Sequence, residues 1–75
     1  MNKDQLLGAI KSRGFTVTEV LEKVNNSDVH LSPSTFYKGL RDERPFNTKE
    51  IVAIAKVIPL TRVQTENIFF EDLVS

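Results

Sequence analysis

Apolar residues recur along this chain in short blocks of helical spacing, and clusters of small polar residues separate the blocks. Leu6, Leu7 and Ile10 form the first stripe and predict a helix from about Lys3 to Arg13. Gly14 after the basic pair Lys11 and Arg13 suits a left-handed cap at the negative end of the helix dipole. Gly8 inside this helix costs about 1 kcal/mol relative to alanine, and it leaves room for another backbone to approach. The second stripe is Val20, Leu21 and Val24. Its helix starts at Thr16, with Glu19 as the reciprocal capping partner, and Phe15 and Val20 have the spacing of a hydrophobic staple. Asn25-Asn26-Ser27-Asp28 ends it, because these side chains compete for backbone hydrogen bonds.

The third element has the clearest start signal: Ser32 is a good N-cap and Pro33 follows at the first helical position. Phe36 and Leu40, four apart, face inward, leaving Ser34, Thr35, Tyr37, Lys38 and Arg41 at or near the outer surface. Gly39 weakens the end of this helix and predicts a short element. Asn47 and Glu50 have capping-box spacing and open a fourth helix through Ile51, Ile54, Ala55, Val57 and Ile58, which Pro59 stops. Thr61 and Gln64 repeat the signature before a fifth helix carrying Val63, Ile68, Phe69 and Phe70. Five short helices with short connections predict one all-α, compact orthogonal bundle over residues 1–75.

Charge changes the picture less than expected of a nucleic-acid binder. Ten basic residues balance ten acidic ones, without the basic excess typical of DNA-binding domains. The placement is uneven. Lys3, Lys11 and Arg13 outweigh Asp4 in the first segment, and Lys38, Arg41, Arg44 and Lys49 outweigh Asp42 and Glu43 in the third. Glu19, Glu22 and Asp28 outweigh Lys23 in the second, and Glu66, Glu71 and Asp72 outweigh Arg62 in the tail. Such a pattern carries information only where the positive segments share a face. Asp42-Glu43 between Arg41 and Arg44 reads equally as a solvated mixed-charge turn or a phosphate-facing loop.

Chemistry is sparse. There is no cysteine, one histidine (His30, read as a turn residue), no metal-ligand spacing and no glycine-rich phosphate loop. The carboxylates are scattered over helix surfaces, so neither an enzyme nor a cofactor site is expected. No apolar run approaches the roughly 20 residues of a membrane span, and the N-terminus lacks a signal peptide's apolar stretch. The expectation is a soluble, cytoplasmic protein.

Gly14-Phe15-Thr16, Val20-Leu21, the run Leu31-Ser32-Pro33-Ser34-Thr35-Phe36-Tyr37, Phe46-Asn47 and Glu50-Ile51 together resemble the lambda-repressor and Cro type (Xre-like) helix-turn-helix family. The tail Glu66-Asn67-Ile68-Phe69-Phe70 is similar to the ending of short phage and prophage members. The resemblance covers most of the chain and implies a transcriptional regulator binding double-stranded operator DNA through a recognition helix at about residues 33–41. It implies Ser34, Thr35 and Lys38 near base edges, with Ser32, Tyr37, Arg41 and Arg44 on phosphates. Thr16 and Thr18 add contacts from the positive end of the second helix. It also implies a weak homodimer on two half-sites, for which Phe70, Leu73 and Val74 on an extended last helix are the spare apolar residues. The competing reading of that tail is core packing followed by fraying.

Two features depart from the family pattern. Val17 stands where glutamine is common, and Asn25–Leu31 is longer than the roughly 3–4-residue turn of a helix-turn-helix. With the neutral charge, they leave a second possibility: the same scaffold gripping another phage regulatory protein, as an anti-repressor or modulator.

Overall fold

The computed structural model describes residues 1–71. Five helices follow one another: α1 Lys3–Ser12, α2 Val17–Asn25, α3 Pro33–Leu40, α4 Thr48–Val57 and α5 Arg62–Phe69. One local device starts all of them. The side chains of Asn2, Thr16, Ser32, Asn47 and Thr61 each accept the backbone N–H three residues on, satisfying a donor that the helix itself leaves orphaned. In α2, α4 and α5 the side chain at that third position returns a bond to the cap, completing the predicted capping boxes. Asn2 is the one cap the apolar pattern did not single out.

Two helices end in the same left-handed turn. After α1, Gly14 lies at φ 76°; its N–H reaches Lys11 O at 2.9 Å, and the Phe15 N–H reaches Ile10 O at 3.1 Å. After α3 the corresponding residue is Asp42, at φ 58°. The Asp42 N–H meets Gly39 O at 3.1 Å and the Glu43 N–H meets Lys38 O at 2.9 Å. These are the paired bonds of a Schellman turn. Aspartate enters the left-handed region more easily than most side chains, and the Met1 ammonium donates to its carboxylate at 3.1 Å.

The helices bury a single core built from Leu6, Ile10, Val20, Leu21, Val24, Leu31, Phe36, Leu40, Ala53, Ile54, Ile58 and Ile68. α2 packs on α1 and α4, and α5 closes the bundle against α1 and α4. The Asn2 N–H donates to Ile68 O at 2.8 Å, tying the first residues to the last helix. Beside α3, the Phe46 ring lies 5.8 Å from those of Phe36 and Phe69, the latter edge-on.

Four expectations change. Val63 is 63% exposed; it precedes the buried Ile68 by five residues, which sets it about 140° round the helix. In α4 the inward small residue is Ala53, while Ala55 is only half-buried. Gly39 does more than shorten α3. A Cβ there would sit 2.3–2.8 Å from the Phe46 ring, so the missing side chain is the space that ring occupies. The last helix stops earlier than expected: α5 ends at Phe69 with Phe70 as its C-cap. Leu73 and Val74 lie outside the described residues.

Gly8, by contrast, meets nothing: a Cβ there would have no neighbour within 4 Å, and the position is exposed in mid-helix. Gly8→Ala should therefore raise stability by about 1 kcal/mol, read as a higher urea midpoint with an unchanged slope. A lower midpoint would mean that this backbone is not helical in solution.

Candidate nucleic-acid interface

The outer face of α3 is set by its inner one. Phe36 and Leu40 are buried in the core, so helical phase turns Pro33, Ser34, Tyr37, Lys38 and Arg41 toward solvent, and all five are exposed. The Ser32 Oγ accepts the Thr35 N–H at 3.2 Å, and its hydroxyl donates to Thr35 Oγ1 at 3.0 Å. Thr35 is consequently half-buried and engaged with the cap, unlike its neighbours Ser34 and Lys38.

Across from α3 lies the start of α2. Thr16 is committed to its capping box, accepting the Glu19 N–H at 3.2 Å. Thr18 is exposed and helps line an open groove of about 560 Å³ between the two helices, with Val17, Leu21, Glu22, Pro33 and Tyr37. Thr18 and Tyr37 thus share one concavity, which Ser34 and Lys38 do not line.

The long connection between α2 and α3 is pinned at its base. The Asn25 amide nitrogen donates to Leu21 O and Leu31 O, both at 2.7 Å, and its oxygen accepts the Leu31 N–H at 2.8 Å. One side chain therefore closes the loop onto the helix it has just left. Asn26, Asp28 and His30 project from this loop and are exposed. With known proteins the comparison is short: the chain matches no family model, no curated protein and no solved structure.

The cations of the α3 region fall into three states. Lys38 has no ion-pair partner among the described residues. Arg44 is held at one end by a buried carboxylate: its Nη1 donates to Glu50 Oε1 at 3.2 Å, and Glu50 is 4% exposed and accepts the Asn47 N–H at 2.9 Å. That pair joins the loop to the α4 cap, so Arg44 has an internal partner while its side chain stays 43% exposed. Arg41 is also paired, through its Nε to the Glu43 carboxylate, but there both side chains are open to solvent. Sequence reasoning missed Asn25 and Glu50 as organisers of this face. Glu50 was visible as a cap partner, and nothing local marked Asn25 as more than a turn residue.

No helix among the described residues is long and apolar enough to cross a membrane. Phe70 is 38% exposed and borders a separate hollow with Met1, Pro45 and Phe46.

Proposed function

We propose that this chain is a helix-turn-helix regulator of the phage Cro or repressor type that binds double-stranded operator DNA through the outer face of α3. The observation that carries this reading is the set of exposed side chains on that helix. Ser34 and Lys38 stand one turn apart, with Lys38 in no ion pair among the described residues, while Phe36 and Leu40 are buried on the opposite face. Ser34 and Lys38 are the base-reading pair, and Arg41, Tyr37 and Thr18 hold phosphates on either side. Thr35 supports Ser32 and Thr16 its own capping box, so both act chiefly through helix starts aimed at the backbone. Two half-sites imply a second copy on the DNA, with the exposed Phe70 in a contact too small for an obligate dimer.

Anisotropy titrations against mixed-sequence and selected duplexes at two salt concentrations test the reading. Affinity should fall with salt at a log–log slope near −0.9 per phosphate neutralised. Lys38→Ala and Ser34→Ala should relax base preference by about 1–3 kcal/mol at particular positions. Arg41→Ala should weaken all sequences alike and flatten the slope. Absence of salt-sensitive binding to any duplex rejects the proposal, and uniform losses in all three variants reject the division between reading and positioning residues.

A protein-binding role, as modulator or anti-repressor, is the second reading. It is favoured by the groove itself, whose walls include the apolar Val17, Leu21, Pro33 and Tyr37 beside the acidic Glu22. It predicts a stoichiometric complex with a repressor domain, lost in Tyr37→Ala, without duplex binding.

A further inference from the structure

Of the two arginines near the end of α3, one is structural and the other is adjustable. The Glu50 carboxylate that holds Arg44 is buried and serves the α4 capping box as well, although the Arg44 side chain itself is 43% exposed. The Arg41–Glu43 pair is different: its side chains are 56% and 53% exposed, the class of ion pair that opens at little cost and weakens with salt. What places Glu43 there is the backbone. The Schellman turn through Asp42 folds the chain back, and the Glu43 N–H is fixed on Lys38 O at 2.9 Å. This brings its carboxylate to Arg41 Nε, at the solvent-exposed end of α3.

We propose that Glu43 is a built-in competitor for the phosphate that Arg41 takes up, lowering DNA affinity without touching base preference. The inference rests on the DNA-binding reading above. An anionic side chain two residues from a phosphate-holding arginine acts twice: it occupies the guanidinium in the free protein, and it repels the incoming phosphate until the pair opens. Both effects are electrostatic and independent of sequence. The near-zero net charge of the chain makes this local tuning matter, since no general basic excess masks the gain or loss of one cation.

Glu43→Gln, Arg41→Ala and the double variant, titrated with a mixed-sequence DNA duplex at low and moderate salt, form the test. Glu43 is exposed, and circular dichroism checks that each variant keeps its fold. Glu43→Gln should tighten binding by about 1.5–5-fold at low salt and steepen the salt slope by up to about 0.9. The gain should vanish in the Arg41→Ala background, because Glu43 acts through Arg41. Wild-type binding that is salt-sensitive but unchanged in Glu43→Gln overturns the inference and leaves the DNA reading standing. So does a gain that persists without Arg41, which would make Glu43 a mere bulk charge. Failure of wild type, Glu43→Gln and Arg41→Ala alike to bind the duplex overturns the DNA reading itself, and this inference with it.

Discussion

Phe36→Ala is expected to destabilise the protein by about 3–5 kcal/mol, enough to unfold most of it at ordinary temperature. The side chain is fully buried, packs near Phe46 and Tyr37 with ring centroids 5.8 and 5.6 Å away, and is the main inward anchor of α3. Truncation removes its burial and leaves a void between α3 and the Phe46 ring that neighbours can only partly fill. A domain of this size seldom holds more than about 3–5 kcal/mol in total, so the loss is comparable to the whole margin. Thermal circular dichroism reads it directly. Each kcal/mol moves Tm by roughly 4–8 °C for a chain this short, so a variant melting within a few degrees of wild type would place Phe36 outside the core. Phe36→Leu, which keeps much of the volume, should remain folded and isolate the packing effect from loss of the fold.

The other large effect is expected at a polar residue. Asn25→Ala removes the side-chain partners of Leu31 N–H and Leu31 O together, while Leu21 O keeps its helix bond, and Leu31 is itself fully buried. Backbone groups left unpaired away from water cost about 1–3 kcal/mol each, moderated here because Asn25 is exposed and water reaches its place. A total of roughly 2–4 kcal/mol is expected. Asn25→Asp should be at least as harmful at neutral pH, because a carboxylate has no N–H to offer and would face two carbonyl oxygens. Urea unfolding of both variants checks the order. A wild-type midpoint for Asn25→Asp would show that the amide does not hold the loop, and that Leu31 is anchored by its side chain alone.

The fold was legible to the extent that its signals are local. A helix start depends on a cap and the first residues after it, so Thr16 with Glu19, Ser32 with Pro33, Asn47 with Glu50 and Thr61 with Gln64 could be read directly, and helices begin there. The buried faces of α1, α2 and α3 followed from helical phase. Phase failed at Val63 because a short helix with few apolar residues leaves its inner face undetermined. It missed the end of α5 at Phe69 because spacing says nothing about where a helix stops. Of the candidate site, the exposure of Ser34, Tyr37, Lys38 and Arg41 was legible for the same reason of phase, and the half-burial of Thr35 was not, since it follows from a second bond to Ser32.

What the sequence by itself determined, then, is the number of helices, their starts and the outward side chains of α3, all settled within three or four residues by backbone hydrogen bonding. Tertiary structure decided the rest. Gly39 reads as a helix breaker until Phe46 comes round from the next loop to fill the space above it. Asn25 reads as a turn residue until Leu31 returns to meet its amide. Arg41 and Arg44 read as equivalent phosphate-binding cations until the loop after α3 gives one an exposed carboxylate and the other a buried one. For Gly39, Asn25 and Arg44 the deciding partner is reached only when the chain folds back across a loop, and for Arg41 only when the turn through Asp42 closes. Its effect depends on a distance and a degree of burial, and the order of residues encodes neither of these locally.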